Sequence, residues 1–179
     1  MRDMNKQKPK HTLMLMRHAK SDRSDPSQDD FDRPLNPRGR KTAPRMGKWL
    51  KKRKLMPEVV ISSPARRARE TTVLVTGPLR FPEGKIIWDE RVYNGSVPGL
   101  LAVVKSHASG AQVSLLVGHN PGLDDLLAHL CAGALPLDEE GKLLTTGAIA
   151  VLALDPGKGL ERGSAELEEL VRPRDVEGN

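Results

Sequence analysis

Two arginines and two histidines stand where three apolar runs of this sequence stop. Leu13-Met14-Leu15-Met16 ends in Arg17-His18, Val59-Val60-Ile61 ends in Ser62-Ser63 with Arg67 shortly after, and Val113-Ser114-Leu115-Leu116-Val117 ends in Gly118-His119. Short apolar runs fit strands buried on both faces. Ligands of open α/β sheets bind just beyond the carboxyl ends of such strands. One such ending is an ordinary strand meeting water, but three that deliver the same residue types define a candidate site. The set suits a phosphoryl group. Arginine's fork matches phosphate oxygens two at a time, a neutral imidazole nitrogen can attack phosphorus and hold the group as phosphohistidine, and cations offset the charge that phosphoryl transfer spreads over the remaining oxygens. Zinc requires three or four neutral or anionic ligands, which arginine cannot supply. No carboxylate clusters beside the histidines at ligand spacing, so neither a metal nor another cofactor is expected.

The elements that must position these residues follow from local signals. Ser21 to Pro34 is rich in Asp, Ser and Pro without periodicity, a loop leaving the first strand beside the site. Asn36-Pro37 offers an N-cap and a first-turn proline for a helix to about Lys54, with Ala43, Met46, Trp49 and Leu50 inward. Pro44 inside it predicts a kink or a late start. Pro64 opens a second helix through about Val75 with Arg67 in its first turn, a terminus whose free amides favour an anion; Arg66 and Glu70 are spaced as a surface pair. Ile86-Ile87-Trp88 reads as a short strand leading into Asp89 to Gly95. A helix carrying Leu100, Leu101, Val103 and Val104 follows, ending near His107. Asn120 can cap and Pro121 open a helix whose Leu123, Leu126, Leu127 and Leu130 keep the helical period, with Gly133 closing it and His129 flanking its stripe. Ala148 to Leu154 is another apolar strand, and Glu166 to Val171 alternates like an edge strand.

The 179 residues suffice for one full core, expected over 11–179, behind a polar, basic tail at 1–10. One cysteine, Cys131, excludes an internal disulfide and fits a reducing compartment. No run is long enough to span a bilayer and the N-terminus lacks a signal peptide's apolar stretch, so a cytoplasmic location away from membranes is expected. With 29 Lys and Arg against 23 Asp and Glu, the formal charge of +6 favours acidic or phosphorylated partners. Aromatics make up only 3% of the chain, which leaves few stacking platforms and disfavours a nucleic-acid binder.

The motifs carry a family resemblance. Arg17-His18-Ala19 resembles the signature of the histidine phosphatase superfamily, whose fold is phosphoglycerate-mutase-like. Ser63-Pro64-Ala65-Arg66-Arg67-Ala68-Arg69-Glu70-Thr71 resembles its second motif and Val117-Gly118-His119-Asn120-Pro121-Gly122 its third. Together with Lys20-Ser21, Asp32-Arg33-Pro34-Leu35-Asn36 and Arg38-Gly39, the run is similar to the phosphohistidine phosphatases of the SixA type, although Ala19 stands where most members have glycine. The resemblance implies an α/β three-layer sandwich with a mostly parallel central sheet between helices. It implies His18 as the phosphorylated nucleophile, Arg17, Arg67 and His119 as phosphate contacts, and Lys20, Ser21, Ser63 and Asn120 lining the substrate site. Glu90 falls near the carboxylic acid with which ester-cleaving members protonate a leaving alkoxide; a solvated loop glutamate is the other reading. The implied function is removal of a phosphoryl group from phosphohistidine in a protein. The alternatives are a small-molecule phosphomonoesterase using Glu90, or a binding module for phosphate or phosphopeptides without turnover.

Overall fold

A computed structural model of the chain describes residues 11–155 and 157–176; the basic tail expected at 1–10 lies outside them. Six strands form one sheet in the order β3-β2-β4-β1-β5-β6. They are β1 (His11–Arg17), β2 (Val59–Ser62), β3 (Ile87–Trp88), β4 (Val113–Gly118), β5 (Ile149–Leu154) and β6 (Ala165–Val171). β3, β2, β4 and β1 run parallel, β5 is antiparallel to β1, and β6 is antiparallel to β5. The expected mostly parallel sheet between helical layers is the observed architecture.

The apolar runs are continuous because each strand feeds two cores. Side chains alternate across a pleated sheet, so Leu13 and Leu15 join Leu116, Leu100, Leu123 and Leu126 on one face. Met14 and Met16 join Leu115, Val117, Met46 and Leu50 on the other. Helices α3 (Val97–His107) and α4 (Gly122–Leu130) cover the first face, and α1 (Pro37–Lys52) and α2 (Arg66–Thr76) the second.

α1 starts where its signals place it. The Asn36 side chain accepts from the Gly39 amide at 2.8 Å and Pro37 occupies the first turn, while Lys51 and Lys52 lie at the negative end of the dipole. Pro44 does not delay it, because the cap and the buried face of Ala43, Met46 and Leu50 outweigh one missing backbone donor. Trp49 is only half-buried, its ring under the Arg53 guanidinium at 5.9 Å.

α2 begins at Arg66, two residues beyond Pro64. The expected cap of α4 is absent: Pro121 stands at the N-cap position without a side-chain capping bond, and Asn120 points its amide elsewhere. α4 closes at Leu130 on an extended Cys131 rather than at Gly133, whose φ of 104° serves the loop that follows.

Candidate active site

Register brings the histidines together. β1 and β4 pair Arg17 with Gly118, so the next residues, His18 and His119, emerge side by side, and the His18 amide donates to the Gly118 carbonyl at 3.0 Å. Their ring centroids lie 5.1 Å apart. β2 pairs Ser62 with Val117 and the Ser63 amide continues the ladder onto the Val117 carbonyl, which sets the Ser63 hydroxyl 2.8 Å from His119 Nε2. In the first turn of α2, Arg67 Nε points at His18 Nε2 from 3.3 Å. His18, Arg67 and His119 are all buried.

The His18 ring is fixed in one tautomer. Its Nδ1 lies 2.8 Å from the Ala19 carbonyl, an acceptor only, so the ring proton sits on Nδ1 and the lone pair on Nε2. Burial, with smaller contributions from His119, Arg67 and Arg17, pushes the His18 pKa down to about 3 despite the Ala19 bond. Burial also pushes His119 down to about 3, helped by the charge of Arg67. Both rings are neutral at physiological pH. Thr71 ties the turn to α2: its hydroxyl accepts from the Ala19 amide at 3.0 Å and donates to the Arg67 carbonyl at 2.6 Å.

Arg17 is held from the other side by a single backbone position. Its Nη1 and the Asn120 amide both donate to the Leu144 carbonyl at 3.0 Å, and the Leu144 amide donates to Asp124 at 2.9 Å. Burial lowers the Arg17 pKa and the Asp124 carboxylate opposes that shift. Arg17 Nε, Arg33 Nε and His119 Nδ1 are buried with no hydrogen-bond partner among the described residues. Buried polar groups ordinarily find partners, so this cluster of unused nitrogens marks a place fitted to an oxygen-rich ligand.

The 21–34 loop contributes what the sequence did not single out. Asp30 gathers Arg67 Nη2 at 2.9 Å, Arg33 at 2.7 Å and the Tyr93 hydroxyl at 3.0 Å on its carboxylate, and its carbonyl accepts from Arg67 Nη1. Burial would raise the Asp30 pKa, but the Tyr93 bond and the two arginines hold it below the usual carboxylate range. Tyr93 meets His119 edge-on at 5.4 Å and Phe31 at 5.1 Å. The α2 terminus is less open to an anion than expected, since the Arg66 amide donates to the Phe31 carbonyl and the Ala65 amide to Ser63 Oγ.

Of the residues expected at the site, His18, Arg17, Arg67, His119, Ser63 and Asn120 are brought together. Ser21 is buried in a bridge to Leu35, and Lys20 is exposed, its side chain turned to a separate cavity. Glu90 is exposed at the start of a 3₁₀ turn, and no hydrogen bond or ion pair of its side chain occurs among the described residues. It is Tyr93, three residues later, that reaches the site. Its only sequence signal was being the sole tyrosine. Asp30 had none, standing among several loop aspartates. No group of three or more His, Cys, Asp or Glu able to hold a metal occurs among the described residues, and no helix there is long and apolar enough to cross a membrane.

Comparison with known proteins identifies the family. Residues 13–92 match the model of the histidine phosphatase superfamily, branch 1. The chain is 32% identical over 144 residues to the phosphohistidine phosphatase SixA of Escherichia coli, covering 80% of this chain and 85% of that one. It is 32% identical over 168 residues to an uncharacterized protein of Mycobacterium leprae, covering 89% of this chain and all of the other. Among solved structures, the protein histidine phosphatase SixA complexed with tungstate aligns with a TM-score of 0.78 at 27% identity, over 93% of this chain and 99% of that one. With motifs, sheet register and relatives in agreement, the chain belongs to the histidine phosphatase superfamily, is similar within it to SixA, and is a phosphatase.

Proposed function

We propose that the protein removes the phosphoryl group from phosphohistidine in a partner protein, passing it through His18. The observation that carries this reading is the His18 imidazole, neutral and locked with its proton on Nδ1 donated to the Ala19 carbonyl, so that Nε2 holds a lone pair beside Arg67. Nε2 attacks phosphorus, the bond from phosphorus to the substrate's imidazole nitrogen breaks, and that ring leaves with the electron pair and takes its proton from solvent. The Ala19 carbonyl steadies the charge developing on the His18 ring. Water then attacks phosphorus, the bond to Nε2 breaks with its pair returning to the ring, and phosphate departs with a proton released to solvent.

Arg67 and Arg17 neutralise the transferring oxygens. Ser63 Oγ accepts the Ala65 amide and lies 2.8 Å from His119 Nε2; with the serine proton directed to Nε2, Nδ1–H of His119 is a further donor to them. Among the described residues no acid is poised for an alkoxide: Asp30 is ionised and Glu90 is exposed. That favours phosphohistidine, whose leaving group manages without one, over a phosphate ester. The proposed steps include no metal, so activity is expected to persist in excess chelator; its loss there would contradict them.

The test is brief exposure to labelled phosphohistidine peptide. Acid-labile label should appear on wild type and not on His18→Ala, which should lose turnover by at least about a thousandfold. Full turnover by His18→Ala would end the proposal. Loss of activity on an ester, and only there, in Glu90→Gln would favour the esterase reading.

A further inference from the structure

A second basic feature adjoins the cradle just described. A cavity of about 220 Å³ is lined by Lys20, Arg38, Arg172 and Arg174, with Asp138 and Thr146 among its other walls. It is too small for a drug-sized ligand, which takes roughly 300 Å³ or more, and roomy enough for one carboxylate. Its cations are largely uncommitted. Neither Lys20 nor Arg38 makes an ion pair or a side-chain hydrogen bond among the described residues. Among the described residues Arg174 reaches only Asp175, at 3.9 Å. Arg172 donates to the Pro136 and Leu143 carbonyls through Nη2, while its Nε is buried and unpartnered. The single lining carboxylate, Asp138, is occupied by the amides of Glu140 and Lys142. Arg38 also lies in the first turn of α1, where the helix dipole adds positive potential.

The cavity shares its backbone with the phosphoryl site. Lys20 follows His18 by two residues, a span of at most about 7 Å. Thr146 precedes Gly147, whose amide donates to the Arg17 and His18 carbonyls at 3.1 Å each. An anion seated among Lys20, Arg38 and Arg174 would lie within a few residues' reach of a phosphoryl group on His18. We infer that this cavity takes an acidic side chain of the phosphoprotein, an Asp or Glu within about three residues of its phosphohistidine, roughly 10 Å along an extended chain. The inference rests on the proposed function and supplies the substrate's recognition element.

Arg38 and Arg174 are exposed and hold no packed structure, so the double variant Arg38→Gln/Arg174→Gln should fold as wild type does. Three substrates discriminate: a phosphohistidine peptide with Glu two positions away, the same peptide with Gln there, and free phosphohistidine. Wild type should show a KM about tenfold lower for the acidic peptide than for the neutral one. The double variant should lose that advantage with kcat unchanged, as for binding made equally in ground and transition states, and should treat the other two substrates as wild type does. A KM indifferent to the acidic residue, or an equal loss on all three substrates, overturns the inference.

Inorganic phosphate followed by amide NMR separates this from the catalytic reading. Two responses are expected, one around His18 and Arg67, the other around Arg38 and Thr146, with only the second weakened about tenfold in the double variant. Absent turnover with the second response intact refutes the phosphatase step and supports the cavity as an anion site; a single response at His18 refutes the cavity.

Discussion

His18, the proposed nucleophile, is denied a proton by its surroundings. Buried and placed beside Arg67 and Arg17, its ring is driven from an ordinary 6.5 to about 3, and His119 likewise. An exposed histidine nucleophile would lose its lone pair as pH fell through 6.5; this one keeps it. The acid limb of kcat/KM for the free enzyme is therefore expected well below 6.5, and a midpoint at 6.5 would contradict the buried geometry. The same shifts have a stability cost in acid. Between about pH 6.5 and 3 the unfolded chain binds protons at both histidines and the folded chain does not, so stability conferred by them is full above 6.5 and falls as pH drops toward 3. Denaturant titrations at pH 7 and pH 5 should show the lower midpoint at pH 5. Asp30 poses the opposite question, an anion where the substrate's anion must come. Asp30→Asn should tighten inhibition by inorganic phosphate on the order of tenfold, by removing one charge from beside Arg67 and Arg33; unchanged or weaker inhibition would show that the carboxylate holds the arginines in place more than it competes.

At the level of elements, the apolar runs of β1, β2 and β4 were readable because their interiors are buried on both faces, and their polar ends were readable because Arg and His have no place in such interiors. The pairing of Arg17 with Gly118 that makes neighbours of the two histidines was not readable, since register depends on strands far apart in the chain. Asn120 misled for a similar reason. Its type promises a cap, but the Leu144 carbonyl, 24 residues on, takes its amide instead. Asp30 and Tyr93 were hidden because their roles exist only once the loop and the 3₁₀ turn meet. Element packing also demands a bare Cα at Gly39: a Cβ there would stand 2.2 Å from the Lys20 carbonyl oxygen, where the first turn of α1 rests on the backbone just past His18. Gly39→Ala should lower stability by about 1–3 kcal/mol, read as a fall of roughly 2–12 °C in Tm for a chain of this size. Because the displaced segment directly follows His18, the proposed nucleophile, kcat should fall as well.

For the molecule as a whole, two cores clamp the sheet and leave its carboxyl edge to the chemistry. The +6 charge by itself separated no phosphate enzyme from a nucleic-acid binder; the cavity lined by Lys20, Arg38, Arg172 and Arg174 places part of the basic excess near His18. The peptide units around Leu144 carry a consequence beyond geometry. They fasten Arg17, Asn120 and Asp124 at once, while the residues leading to them, 132–142, are mostly exposed. A protease that nicks this segment would slacken the strap without touching either core. The clipped protein should keep its circular dichroism and melt cooperatively, yet turn over substrate at least about tenfold more slowly, a safety catch that a single cut releases.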